Sequence, residues 1–354
     1  MTNLEKYLTL LNNGVDGLLL TSRYSRHYGA CFDIAEGVAI VSKNGCRYFT
    51  DSRYIESAQN NIAGFEVLEM NRENPYTKLL NDAIAQFGIK TLGFEEEYLT
   101  VSEFKRFEDK LSAQLVPYHK EISSFRAVKE PYELNRMRMA QKITDKAFKE
   151  VLKRIHVGMT EKELAAELVY CLLKNGGEGL SFEPIVVSGP NTSLPHGVPG
   201  DRRLKEGDFI TMDFGVIYQG YCSDMTRTVA LGYATEEMHA VYDTVLKAQL
   251  AALSVTRPGV TGKDIDAAAR QVISDAGYGA YFGHGYGHCL GMEVHEMPSC
   301  SPSGTTVMEK NMVSSAEPGI YLPGKFGVRI EDVVIFTDEG HENITASPKN
   351  LIII

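Results

Sequence analysis

A short motif recurs in the second part of this chain at a fixed offset of 101 residues. Gly158-Met-Thr160-Glu-Lys-Glu163-Leu164 is echoed by Gly259-Val-Thr261-Gly-Lys-Asp264-Ile265. Each copy reads as a helix start in which a threonine N-cap and an acid three residues later exchange hydrogen bonds. The helices should end near Gly176 and Gly277, again 101 apart, where glycine suits the left-handed C′ position. A loop with glycine and histidine follows each helix. Each loop leads to a pair of acids in strand-like sequence, Asp213 and Asp224 first, then Glu317 and Glu331. Short capping motifs can recur by chance, but helix, loop and acidic hairpin in the same order twice suggest an α/β domain of two related halves about a pseudo-twofold axis. The four acids would meet at that axis.

The first hairpin can be read in more detail. Phe209 to Leu231, FITMDFGVIYQGYCSDMTRTVAL, carries two aspartates in otherwise apolar or β-branched sequence. Aspartate is a poor strand residue, and a buried charge is costly unless paired or bound to a metal. An even-length turn at Gln219-Gly220 sets Tyr218 against Tyr221 and Gly215 against Asp224. Asp213 and Asp224 then lie diagonally on one face, about 7–8 Å apart at the backbone, where they could share a cation. A three-residue loop would send Asp224 to the opposite face. The alternative for the pair is one solvent-facing aspartate and one turn cap.

With 354 residues the chain is long enough for two domains of about 100–200 residues each. Its net charge of −10 argues against nucleic acid or an anionic membrane as the main partner. The N-terminus has no basic segment leading into a sustained apolar run, so no signal peptide is read. No stretch approaches the roughly 18 apolar residues of a membrane span. The six cysteines, Cys31, Cys46, Cys171, Cys222, Cys289 and Cys300, show no CxxC spacing. They suggest neither a disulfide framework nor a thiolate zinc site, and a cytoplasmic location is expected.

Residues 1–125 read as an α/β layered domain. Gly17–Leu20, Gly37–Val41, Cys46–Thr50, Thr91–Phe94 and Leu115–Tyr118 have strand length. Tyr54–Asn61, Tyr76–Phe87 and a helix capped by Thr100 and Glu103 alternate with them. The polar cluster Asp51-Ser52-Arg53-Tyr54 reads as a strand-to-helix N-cap. Pro131 then suits the first turn of a long helix. Its apolar residues recur every three or four positions, at Leu134, Met137, Ala140, Ile143, Ala147, Val151 and Ile155. The second domain is assigned to residues 126–354.

Chemistry concentrates in that domain. HGYGHCLGMEVHE holds His284, His288 and His295 among glycines, which let backbone approach a ligand closely. The segment is not HExxH, and it reads as a glycine-rich loop rather than a helix. Any one of these histidines could instead be a hydrogen-bonded core residue. Four carboxylates at one site cannot all ionise unless cations neutralise them, and two divalent ions balance four charges. Such paired ions activate water and polarise a carbonyl or phosphoryl oxygen. No GxSxG motif suggests a serine nucleophile.

In that order, MDFG, SDMTRT, HGYGH, EVHE, EPGIY and GVRIED resemble the metallopeptidases of the creatinase/methionine aminopeptidase, or pita-bread, fold. The aminopeptidase P and prolidase (Xaa-Pro dipeptidase) group is the nearest match. The resemblance is strong over residues 126–354 and weaker through FTDSRY in the N-terminal domain. It implies an α/β N-terminal domain followed by an α+β pita-bread domain with a pseudo-twofold repeat. It implies five metal ligands at Asp213, Asp224, His288, Glu317 and Glu331, with Asp224 and Glu331 bridging two ions. His196 and His295 fall where the family stabilises the tetrahedral intermediate, and Glu317 where it moves a proton. His284 borders the pocket for proline, Tyr321 lies near the site, and Arg329 orients a metal-bound carboxylate. MVSSAEPG is more polar before the glutamate than is usual in the family.

The activity implied is dinuclear, metal-dependent hydrolysis of the bond before proline, in Xaa-Pro dipeptides or peptides beginning Xaa-Pro. Mn²⁺ is the expected ion, with Co²⁺ or Zn²⁺ as alternatives, and a homodimer is the expected assembly. Three rivals are a methionine aminopeptidase-like hydrolase, a creatine hydrolase and a non-catalytic pita-bread binding module. The first usually lacks an N-terminal domain of this size. The other two lack the full ligand set, which is intact here.

Overall fold

A computed structural model describes residues 1–11 and 14–354. The chain divides into two units, Met1–Arg126 and Ala127–Ile354. The first contains, in order, α1 (Asn3–Leu10), β1 (Gly17–Leu20), α2 (Arg23–Ala30), β2 (Val38–Ser42), β3 (Gly45–Asp51), α3 (Ile55–Asn61), β4 (Glu66–Met70), α4 (Tyr76–Phe87), β5 (Thr91–Phe94), α5 (Val101–Lys110), β6 (Gln114–Pro117) and α6 (His119–Ser124). Its mixed sheet runs β4-β3-β2-β1-β5-β6. The central strand, Gly-Leu-Leu-Leu, is buried along its whole length, as an apolar run without alternation predicts. Leu80, Ala83, Ile84, Phe87 and Phe107 of α4 and α5 join Leu19, Ile40, Phe49 and Leu92 of the sheet in one core.

Two details of this unit differ from the sequence reading. Asp51 does not cap a helix. Its carboxylate accepts from the Arg53 backbone N–H at 2.9 Å and pairs with the Arg53 guanidinium, forming a turn before α3. The N-cap of α3 is Tyr54, which makes no side-chain cap bond. The reading also omitted α1, α2, β4 and α6. β4 is the polar edge strand EVLEM, where burial does not impose a clear pattern.

The second unit begins with α7 (Pro131–Val151) and α8 (Glu161–Lys174). It continues through β7 (Gly179–Leu180), β8 (Ile185–Ser188), β9 (Phe209–Phe214), β10 (Val216–Tyr218), β11 (Tyr221–Cys222) and β12 (Met225–Ala230). A second helix pair follows, α9 (Glu236–Val255) and α10 (Gly262–Asp275). The chain ends in β13 (Gly287–Cys289), β14 (Glu296–Cys300), β15 (Val313–Ala316), β16 (Gly319–Leu322), β17 (Phe326–Arg329), β18 (Asp332–Phe336) and β19 (His341–Asn343).

The sequence echo is an echo of structure. α7 and α8 precede three strands ordered β8-β9-β12, and α9 and α10 precede three ordered β13-β15-β18. Thr160 with Glu163 and Thr261 with Asp264 form complete capping boxes. The helices are followed by Gly176 and Gly277 in left-handed conformation, φ 108° and 84°. The segment before each helix is pinned alike. Gly158 N donates to Leu204 O and Leu204 N to Met159 O. Gly259 N donates to Met308 O and Met308 N to Val260 O. Each half buries its own apolar core, with Leu164, Leu168, Ile210 and Met212 in the first. Ile265, Ala269, Val328 and Val334 belong to the second. Among the described residues, no helix is long and apolar enough to cross a membrane.

Candidate active site

Both acidic hairpins split at their acids. In the first, Tyr218 pairs with Tyr221 across a two-residue turn. Gln219 and Gly220 both have positive φ, 47° and 79°, as a type I′ turn requires. The same register continues to Phe214–Met225 and Asp213–Thr226, which sets Gly215 opposite Asp224. β9 and β12 belong to one sheet and β10 and β11 to another, so the ladder parts at Gly215. A Cβ on Gly215 would stand 2.0 Å from the Ser223 carbonyl oxygen, so only glycine lets the strands close over Asp224.

The second hairpin repeats this. Ala316 pairs with Asp332, and Gly319 with Arg329, so Glu317 and Glu331 stand opposite each other in the gap between the two sheets. Arg329 and Glu331 are therefore not on one continuous strand, because β17 stops at Arg329. His288 differs from the sequence reading, since it sits on β13 rather than in a loop. Gly287 before it packs so closely that a Cβ would lie 2.3 Å from the Ser315 carbonyl oxygen.

All ten residues singled out above, His196, Asp213, Asp224, His284, His288, His295, Glu317, Tyr321, Arg329 and Glu331, line one cavity of about 1020 Å³. Asp224, His288 and Glu331 each offer a ligand atom within 4.8 Å of the others. His288 Nε2 lies 3.2 Å from Glu317 Oε1 and 3.6 Å from Asp224 Oδ2. Asp213 Oδ2 is held at 2.6 Å by an Arg329 guanidinium N–H. The His288 and His295 rings meet edge to face, with centroids 4.3 Å apart.

Hydrogen bonds to neighbouring carbonyls fix how the His284 and His288 rings are turned. His288 Nδ1 lies 3.2 Å from the Cys289 carbonyl. A carbonyl only accepts, so Nδ1 carries a hydrogen, and Nε2 is the atom turned toward the acids. His284 Nδ1 likewise donates to the Gly285 carbonyl, at 2.8 Å. The Tyr321 hydroxyl then donates to His284 Nε2 at 2.9 Å while accepting from Arg329 at 2.8 Å.

The charges oppose one another strongly. Burial, and then the neighbouring Asp213 charge, hold the Asp224 carboxyl well above the usual carboxylate range. Glu331 is raised by burial and by Asp224. Asp213 is raised by burial despite its Arg329 partner. Burial works most strongly against the Glu317 charge, but the His288 hydrogen bond and charge, with His284 and Arg329, together outweigh it and bring Glu317 down to about 2. His288 is raised to about 9, because Glu317 and Asp224 overcome its desolvation. Burial lowers His284 and His295.

This donor set suits a divalent cation. Asp213 Oδ1 and Asp224 Oδ1 are buried without a hydrogen-bond partner, although a buried polar atom ordinarily has one. Carboxylate oxygens with one imidazole are ligands for hard or borderline divalent ions.

The sequence reading does not include the residues that hold these carboxylates in place. Thr226 Oγ1 donates to Glu331 Oε2 at 2.7 Å and accepts from Arg329 Nε at 3.0 Å. Ser315 Oγ donates to Glu317 Oε1 at 3.1 Å and accepts from His288 N at 3.0 Å. The signal was present, because Thr226 is two residues from Asp224 and Ser315 two from Glu317 on strand-like sequence. The polar character of VSSAEPG is thus partly explained. The apolar wall of Phe182, Ile185, Leu194 and Val294 also escaped notice, since its residues come from separate segments.

Fold and donor set together define a metal-dependent hydrolase of the pita-bread type, preceded by an α/β unit. The chain belongs to metallopeptidase family M24. The model of that family matches residues 135–338, and the model of the creatinase/prolidase N-terminal domain matches residues 5–128. The chain is 41% identical over 353 residues to the uncharacterized peptidase YqhT of Bacillus subtilis (strain 168), covering 99% of each chain. It is similar to the structure of an Xaa-Pro dipeptidase from Bacillus anthracis, with TM-score 0.96, 39% identity and 99% of each chain covered. It is also similar to that of an X-Pro aminopeptidase from Thermotoga maritima MSB8, with TM-score 0.92, 37% identity and the same coverage.

Proposed function

We propose that this peptidase hydrolyses the peptide bond before proline, in Xaa-Pro dipeptides or in peptides beginning Xaa-Pro. The observation that carries this reading is the meeting of four acids and His288 with His196 and His295 in one cavity. Relatives named as a dipeptidase and as an X-Pro aminopeptidase support both substrate lengths. Asp213, Asp224, His288, Glu317 and Glu331 would hold two divalent ions, with Mn²⁺ our choice and Co²⁺ or Zn²⁺ the alternatives. Two ions offset four carboxylates. When bound, they supply acidified water and polarisation of the scissile carbonyl.

The side chains do the rest. Glu317 accepts the proton of the attacking water and passes it to the departing proline nitrogen. His196 and His295 donate hydrogen bonds to the oxygen on which negative charge develops. Burial disfavours protonation of His295, so it acts as a neutral donor. Arg329 orients Asp213 and, through Tyr321, steadies His284 beside the proline ring. The apolar wall around Phe182 and Leu194 excludes water from the substrate. We further propose a homodimer working in the cytoplasm.

The test is an assay with added Mn²⁺ on Ala-Pro and Ala-Pro-Ala, with metal analysis of the same sample. Cleavage of the dipeptide alone identifies a dipeptidase, and cleavage of both an aminopeptidase. No cleavage of either, with no bound metal, would overturn the reading.

A further inference from the structure

The loop that joins His288 to His295 is built around a buried ion pair outside the metal cluster. Lys129 Nζ lies 2.9 Å from Glu296 Oε2, with side chains only 1% and 3% exposed. Glu296 directly follows His295 and pairs with Cys289 across a register shift that begins at His288. Its other oxygen, Oε1, accepts the backbone N–H groups of Met292 and Glu293, at 3.1 and 3.3 Å. One carboxylate oxygen is thus held by Lys129 and the other from inside the loop. The loop has closed so tightly over the pair that a Cβ on Gly291 would stand 2.6 Å from Glu296 Oε2 and 2.9 Å from Lys129 Cε. Lys129 is itself pinned by its backbone N–H to the Asn311 carbonyl, at 3.0 Å.

A buried ion pair contributes little net stability over a well-packed apolar pair, because desolvation offsets the attraction. What this one supplies is position. We infer that Lys129 is a positioning residue which, through Glu296, sets the 290–296 loop and thereby the placement of His295 against the substrate carbonyl. The inference rests on the role proposed above for His295. Lys129 does not line the cavity. It leaves metal binding alone and acts on the step in which His295 takes part.

Two measurements test this in the full-length protein. The first is hydrogen exchange of the 290–296 segment in the metal-free protein, without substrate. Lys129→Met should raise exchange at Met292 and Glu293, and unchanged exchange there overturns the anchoring. The second is a double-mutant cycle with His295→Ala on an Xaa-Pro substrate. Lys129→Met should lower kcat by about 10–100-fold, the scale of a misplacement near 1 Å, with KM and bound metal little changed. In the His295→Ala background the same change should cost less than about twofold, since residues acting as a unit are not additive. Equal losses in both backgrounds would show a general structural role and overturn the inference. If Lys129→Met fails to fold, Lys129→Met/Glu296→Gln removes both buried charges and is read by the same two measurements. The exchange arm uses no substrate, so failure of the anchoring is distinguishable from failure of the proposed activity.

Discussion

Replacing Asp224 with asparagine should separate the needs of the fold from the needs of the chemistry. Asp224 is 3% exposed, its Oδ1 has no hydrogen-bond partner, and its Oδ2 is 3.6 Å from His288 Nε2. Burial and Asp213 both disfavour its charge. Without metal, the native side chain is therefore a liability. An unsatisfied buried polar group costs about 1–3 kcal/mol, more when charged. Asparagine keeps the shape, removes the charge and offers N–H donors to the surrounding carboxylates. Asp224→Asn should be more stable than wild type in chelator by about 1–3 kcal/mol, seen as a melting temperature raised by a few degrees. In Mn²⁺ the order should reverse, because wild type gains from binding what the variant cannot. Turnover should fall by more than the roughly 10–100-fold that loss of an outer-shell partner costs. A variant less stable than wild type in chelator would refute the charge argument. Near wild-type turnover would refute the ligand role.

Other outcomes follow from the same geometry. Thr226→Val removes the donor to Glu331 and should weaken metal binding by about 10–100-fold, measured by calorimetry; unchanged affinity would contradict the supporting role. His196→Ala should lower kcat by about 10²–10³-fold at unchanged bound metal; a loss confined to KM would move His196 from the reacting carbonyl to substrate binding. The metal-free protein should lose stability as pH rises. Folded-state pKa values of Asp213, Asp224 and Glu331 lie above their unfolded values, so their contribution is full at low pH and lost on ionisation. His288 acts in the same direction, its contribution disappearing as pH rises through about 9. Glu317, lowered to about 2, contributes above its unfolded pKa and is lost only in strong acid. Melting temperatures in chelator should therefore fall between about pH 7 and 9, and a rise over that range would contradict the assignment of the charges.

What the sequence disclosed depended on what the physics repeats. Capping boxes at Thr160 and Thr261 are local, so their recurrence was visible and announced two related halves. An even-length turn at Gln219-Gly220 carries the register from Tyr218 to Asp213, and the two-residue turn that forms is of that kind. The parting of each hairpin at its acids was not visible. It arises where strands leave one sheet for another, and only the glycine at Gly215 hints at the close approach. The sequence reads as a loop at His288 because β13 is three residues long and set among glycines, too short for alternation to register. Asp51 reads as a cap because a carboxylate before a helix usually is one, but Arg53 two residues on takes it instead. Lys129 and Glu296 lie far apart in sequence, and nothing in either local pattern marks them as partners.

The central claim, that the four acids and His288 form a two-ion site for cleaving the bond before proline, has one direct measurement. Metal-free protein is titrated with Mn²⁺ while hydrolysis of an Xaa-Pro dipeptide and bound metal are followed in the same samples. Activity should rise with bound metal and level off at two ions per chain. Full hydrolysis in chelator, or a plateau reached at one ion per chain, would contradict it.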